Sequence, residues 1–247
     1  NDIIDDSENR AAPISLSPLY IKTKDLRGDK KMSIVSLLNA LPGAVAQGLI
    51  WGIMAIGVYI TFRILDIADL TVDGTLCTGG AVCIMMMQSG HNVWVSLLVA
   101  LIAGLLAGMV TGLLHTFMGI PAILAGILTQ LGLYSVNLKI MGKSNQAINV
   151  DKFDLLVSLR YIKNVPIYRN TILLVAVIIV VLIAFLYWFF GTELGCSLRA
   201  TGCNDRMSRA QGINTDLTKI IGLMLSNGIV ALSSGLLAQY QGFADIN

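Results

Sequence analysis

Between Asp73 and Lys139 the chain carries no Asp, Glu, Lys or Arg. A soluble domain would need polar residues to clothe so long a stretch, and the rest of the sequence does not supply them. Lipid is the solvent that accepts it. Inside lipid every backbone N–H and C=O must be satisfied within the protein, so successive apolar runs fold as helices. The whole chain agrees: 55% of its 247 residues are apolar and 13% are charged, the balance of a polytopic membrane protein. The expected fold class is all-α, a polytopic membrane helical bundle of about six membrane segments.

Composition also excludes several functions. A net charge of +2 offers no basic surface for nucleic acid. Cys77, Cys83, Cys196 and Cys203 form no CxxC pair and no His cluster lies near them, so no metal site is expected. Cys77 and Cys83 sit in apolar sequence and read as small packing residues. His91 and His115 have no acidic partner in sequence reach. There is no catalytic constellation and no GxxxxGK[ST] phosphate loop, so the chain is expected to be no enzyme and to bind no cofactor directly.

Residues Asn1 to Lys31 are polar, carry both charge signs and have no apolar core of signal-peptide type. They read as a tail, disordered or foreign to the natural protein, with Met32 as the natural start. Leu41–Ile64 is the first expected spanning helix. Pro42 suits its first turn, and Gly48 and Gly52, extended by Gly57, make a small-residue face for helix packing. Charge returns at Arg63, Asp66, Asp69 and Asp73. The stretch Leu65–Gly80, LDIADLTVDGTLCTGG, therefore reads as a bend or an interrupted helix, buried in protein or lining water. Its carboxylates have two readings: a gate or pathway lining, or a water-exposed turn at a helix end.

A shorter helix is expected over Leu76–Gln88, with Met85, Met86 and Met87 in ordinary lipid-facing packing rather than soft-metal binding. Ser89–Asn92 is a turn. Val93–Leu114, about 22 residues and so about 33 Å, crosses a bilayer. Its Gly104, Gly108 and Gly112 mark tight packing against another helix. Gly119-Ile120-Pro121 separates it from a helix over Ala122–Met141, whose Gln130, Ser135 and Asn137 either line a solute path or bond between helices. Gly142–Arg169 is a polar loop in which Val150–Ile162 suits a short surface helix. Thr171–Phe190 has no internal glycine and suits lipid. Leu217–Gln241 carries Ser226, Asn227, Ser233, Ser234, Gln239 and Gln241, which fits a helix inside the bundle.

Glu193–Lys219, ELGCSLRATGCNDRMSRAQGINTDLTK, lies between two uncharged apolar runs. A connector of this length is functional or disordered, and its recurrent Leu194, Leu198, Met207, Ala210 and Ile213 argue for structure. Asn204 suits the cap of a short helix with Asp205 in its first turn, and Gly212 suits its end. Such a helix, held at a membrane face, fits the docking of a soluble partner.

Leu198-Arg199-Ala200-Thr201-Gly202-Cys203-Asn204 and Ser208-Arg209-Ala210-Gln211-Gly212-Ile213-Asn214 resemble the LRAxGxNxxxARxxGIN pattern of ABC-importer permeases of the branched-chain amino acid and ribose group. The resemblance covers Met32 to Asn247. HTFMGIPAILAGILT, from His115, is similar to a subgroup paired with binding proteins for aromatic or other amino acids. Ile67–Gly74 has the layout, though not the residues, of the family's INFAHGE stretch.

The resemblance implies an ATPase-coupling segment in which Arg199, Gly202, Asn204, Met207, Arg209, Ala210, Gly212 and Ile213 act. The polar residues within the membrane segments give the pathway or gate candidates Asp66, Asp69, Asp73, Gln130, Asn137 and Asn227. The implied partners are a cytoplasmic ABC ATPase that carries the ATP, an extracytoplasmic solute-binding protein, a second permease copy forming a homodimer, and the lipid membrane. The implied place is the plasma (inner) membrane, with Glu193–Lys219 inside and Gly142–Arg169 outside. The cargo is a small solute such as an amino acid. Family members continue with further helices, so residues 32–247 read as a partial transmembrane domain. Two rivals remain: an ion-coupled secondary transporter using Asp66, Asp69 and Asp73, and a membrane scaffold whose long loop recruits a partner.

Overall fold

The computed structural model describes residues 34–148, 155–157 and 171–245. The polar tail and most of the Val150–Ile162 surface helix lie outside the described residues. By contacts the chain divides at Ala40, and the bundle considered below begins at Leu41.

The uncharged runs fold as helices: α1 over Ile34–Tyr59, continued by a π-turn Ile60–Ile64; α2 over Thr71–Gln88; α3 over Val93–Thr116; α4 over Ala122–Met141; α5 over Thr171–Gly191; and α8 over Thr215–Gln241. The polar segment folds as α6, Glu193–Cys203, and α7, Asp205–Ala210. Among the described residues, five helices are long and apolar enough to cross a membrane: Leu41–Ile64, α3, α4, α5 and α8. The sixth segment, α2, is more polar, and most of its residues are buried among its neighbours. The chain is an all-α polytopic membrane bundle, as composition requires.

α8 is the spine. Two thirds of its apolar window (67%) is buried, against 11% for α5, which presents Val177, Val180, Val181 and Ile183 outward as a lipid-facing helix does. α2 runs beside α8 in the same direction: Thr75 meets Asn227, Gly79 meets Ala231, and Cys83 meets Gln239. α3 runs the opposite way, with Gly104 against Asn227 and Ala231, Gly108 against Leu223 and Gly112 against Ile220. The glycine stripe is thus the α3–α8 seam. A Cβ on Gly108 would lie 2.8 Å from the Leu223 carbonyl carbon, and one on Gly79 would lie 2.7 Å from Ala231 Cα. Both approaches exclude a side chain.

The buried polar groups of α8 act as cross-links. Ser226 donates to the Gly57 carbonyl (2.7 Å), Ser233 to Ile50 (2.7 Å), Tyr240 to Gly43 (2.9 Å) and Ser234 to Leu76. In a low-dielectric interior such bonds fix register rather than add bulk stability.

Three expectations change, and one feature is new. Gly48 and Gly52 face open space, and only Gly57 of that set packs closely, against Ser226 and Val230. The helix interruption is shorter than Leu65–Gly80: helix resumes at Thr71, so Asp73, Gly74, Gly79 and Gly80 are helical and the three glycines are buried seam residues. Met87 lies in the core rather than against lipid, and Met85 packs on it. Two short strands, β1 (Asn145–Ala147) and β2 (Phe243–Asp245), pair antiparallel with Gln146 opposite Ala244. This clasp ties the loop after α4 to the end of α8, on the face opposite α6 and α7.

Candidate functional site

Three groups of polar residues carry the sequence-predicted positions, and the fold separates them by depth.

The first is the α6–α7 platform. Thr192 caps α6 by accepting from Gly195 N (3.4 Å). Asn204 caps α7 by accepting from Met207 N (3.1 Å). Asn214 caps α8 in the same way, from Leu217 N (3.2 Å). Each cap satisfies a backbone donor that the helix start leaves open. Gly212, at φ +85°, reverses the chain after α7 in a conformation that suits glycine, and Ile213 N closes the turn on Ser208 O (3.1 Å).

The platform is braced from α8. Lys219 Nζ lies 3.1 Å from Asp205 Oδ2, and Arg209 binds Asp216 (2.7 Å) and the Thr215 hydroxyl (2.6 Å). Burial pushes the Asp205 carboxyl up, but the bonds from Lys219 and Thr215 and the charges of Lys219 and Arg209 outweigh it, holding the group below its ordinary value. Arg199 folds back on the Phe190 carbonyl (3.1 Å) and Cys196 Sγ (3.3 Å). Of the eight coupling positions, Met207 (59% exposed) and Ala210 are left presenting side chains outward without an intrachain bond of their own.

Gly202 has the closest approach in the platform. A Cβ there would lie 2.9 Å from the Ile64 carbonyl carbon and closer still to its oxygen. α6 therefore rests directly on the backbone where α1 ends in its π-turn. Beside it Leu65, Ile67, Leu198 and Leu223 form a small apolar core. A cavity of about 500 Å³ opens at this junction, lined by Asp66, His115, Gly202, Asn204, Asp205 and Lys219 among others. Asp66 sits there with φ +54°, a left-handed turn residue between the two helices.

The second group is deep. Asp69 is 2% exposed. One carboxylate oxygen accepts from Thr71 N (2.8 Å), starting α2, and the other accepts from Asn227 Nδ2 (2.7 Å). Asn227 in turn accepts from the Thr75 hydroxyl (2.9 Å). A hydroxyl chain runs alongside: Thr71 to Thr111 (2.8 Å) and Thr111 to Thr129 (3.0 Å). Asp69 and Asn227 are thus structural links between the break and α8. The hydroxyl chain joins three different helices, so no local sequence spacing marks it.

The third group lines a cavity of about 410 Å³ between α2 and α4: Asp73, Cys77, Gln130, Leu131, Tyr134 and Asn137 are on its walls. Gly74 lets the helices meet, since a Cβ there would lie 3.1 Å from Gln130 Cα. Asp73 is exposed, and Asn137 is fully buried with neither side-chain polar atom bonded. An orphaned buried amide costs about 1–3 kcal/mol, and a carboxylate turned to hydrocarbon costs about as much or more. The exposed Asp73 carboxylate disfavours lipid on this wall. Ser135, also considered for the path, is exposed and bonds back to Leu131 O.

Comparison with known proteins gives the family of the chain. The family model described as branched-chain amino acid transport system / permease component matches residues 41–247. A tyrosine transport system permease protein of Clostridioides difficile (strain R20291) is 39% identical over 210 residues, covering 85% of this chain and 68% of that protein. An uncharacterized protein of Rickettsia prowazekii (strain Madrid E) is 39% identical over 212 residues, covering 85% and 71%. A fructose import permease protein of Bifidobacterium longum (strain NCC 2705) is 32% identical over 174 residues, covering 69% and 47%. No solved structure matches the chain. A membrane bundle with a braced polar platform, matched by the family model along its whole length from Leu41, belongs to the permease components of the branched-chain amino acid transport family: it is a multi-pass membrane subunit of a small-solute transport system.

Proposed function

We propose that the chain is the membrane-spanning subunit of an ATP-driven ABC importer in the plasma membrane, with an amino acid as cargo. It works beside a cytoplasmic ATPase that carries the ATP, an extracytoplasmic solute-binding protein and a second permease copy. The observation that supports this most is Gly202 on the Ile64 backbone. A force applied to α7 reaches α6 through Asn204, α6 bears on the end of α1, and the break after Ile64 leads to Asp69, which is bonded to Asn227 in the spine. Docking at one face therefore has a packed route to the helices that line the α2–α4 cavity. The tyrosine named for the Clostridioides difficile relative favours an amino acid as cargo.

On this reading α7 seats in a groove of the ATPase with Met207 and Ala210 at its centre. The two strongest rivals differ in what they require of α7. An ion-coupled carrier needs no ATPase; of its three carboxylates Asp69 is bonded at each oxygen, to Thr71 and Asn227, while Asp66 and Asp73 are exposed.

The test is copurification of the ATPase with wild-type and Ala210→Asp permease in detergent. An unpaired charge at a buried contact costs a few kcal/mol, and about 1.4 kcal/mol is tenfold in affinity, so recovery should fall by about two orders of magnitude. Equal recovery with both forms would reject the docking role of α7.

A further inference from the structure

Asn137 is the one fully buried side chain of the described residues whose amide oxygen and nitrogen both lack a bond. It lies on the wall of the α2–α4 cavity, seven residues and so about two helical turns from Gln130 on the same helix. Tyr134 lies between them. Across the cavity stand Asp73 and, one turn further, Cys77. The lining thus has one acid, no base, two amides and an apolar stretch made by Leu76, Leu131 and Tyr134.

We propose that this cavity is the solute site of the permease and that it recognises an α-amino acid by its two charged ends. The Asp73 carboxylate takes the ammonium. The amide N–H groups of Gln130 and Asn137 take the carboxylate, and Leu131 and Tyr134 flank the side chain. A volume of about 410 Å³ accommodates one amino acid. The arrangement accounts for three features that packing alone does not: an exposed carboxylate on a membrane helix, an orphaned buried amide, and their shared cavity. The identity of the solute rests on the importer reading, and the site itself does not.

Cys77 provides the readout. Cys83 is fully buried, whereas Cys196 and Cys203 are exposed on α6. In membranes holding the full chain with Cys196→Ser and Cys203→Ser, alkylation by N-ethylmaleimide reports the cavity. L-Tyrosine or L-leucine should slow labelling roughly tenfold, the effect of about 1.4 kcal/mol of occupancy. Tyramine, which lacks the carboxylate, and 3-(4-hydroxyphenyl)propionate, which lacks the ammonium, should each protect far less. Equal protection by either one-ended analogue, or none by both amino acids, overturns the site.

Asn137→Leu separates binding from folding. If the amide is kept for the solute, the variant melts at a higher temperature than wild type yet loses protection. A lower melting temperature with protection intact overturns the assignment. ATP-driven uptake of L-tyrosine, measured in the same vesicles with the ATPase and binding protein present, distinguishes the two proposals. Uptake without protection overturns the site and leaves the importer standing. Protection without uptake supports the site and counts against the importer.

Discussion

Asn227 donates to Asp69 across 2.7 Å while accepting from Thr75 at 2.9 Å, so one amide ties the break after α1 to both α2 and α8. Asp69 spends its second oxygen on Thr71 N. A carboxylate that fully bonded is a strut, and its neighbour on the next turn, the exposed Asp73, is free to face the cavity.

The two acids should therefore behave differently. Asn227→Ala removes a bond from the buried Asp69 carboxyl, and leaving a buried group without its hydrogen-bond partner costs about 1–3 kcal/mol. Thermal unfolding in detergent should show that loss of stability, together with loss of transport. Asp73→Asn should leave the melting temperature near wild type and still impair uptake. Normal uptake by Asp73→Asn would remove it from the pathway.

Glycine substitutions test the seam. Gly79→Ala and Gly108→Ala press a methyl onto the backbone of α8, an overpacking that costs about 1–3 kcal/mol. Gly48→Ala meets open space and should change stability by less than about 0.5 kcal/mol. The pair of outcomes, read by the same unfolding assay, distinguishes a packing glycine from a merely small residue.

Gly202→Val tests transmission rather than docking. It leaves Met207 and Ala210 untouched but drives α6 off the Ile64 carbonyl. The ATPase should still copurify, while uptake falls at least about tenfold. Loss of ATPase binding with Gly202→Val would mean that α6 and α7 dock as one unit.

Much of this was legible in the sequence because lipid imposes a simple grammar. Uncharged runs bounded by charge gave the helix positions, and the Asn204 cap gave the start of α7, which ends at Ala210, two residues before Gly212. The glycine spacing in α3 identified a packing face, yet the same spacing at Gly48 and Gly52 did not, because four-residue periodicity says nothing of whether a helix stands opposite. α6 was missed: its LGCSLRATG run mixes glycine and threonine, poor helix formers whose cost is offset here by close packing on Ile64. The β1–β2 clasp joins residues almost a hundred positions apart and leaves no local signal. The six pathway candidates share only their polarity in the sequence, and three dimensions sort them: Asp69, Asn137 and Asn227 are buried, whereas Asp66 and Asp73 are exposed. Asp69 and Asn227 bond each other, Asp66 lines the platform cavity, and Asp73, Gln130 and Asn137 share one cavity.

The most direct measurement is uptake of radiolabelled L-tyrosine into right-side-out proteoliposomes that hold the permease, its ATPase and its binding protein, with ATP either sealed inside or supplied only outside. An ATP-driven importer predicts uptake only when ATP reaches the face bearing α7, with no response to a protonophore or to collapse of a sodium gradient. Uptake that persists without ATP and stops when the ion gradient is removed would contradict the account and favour an ion-coupled carrier.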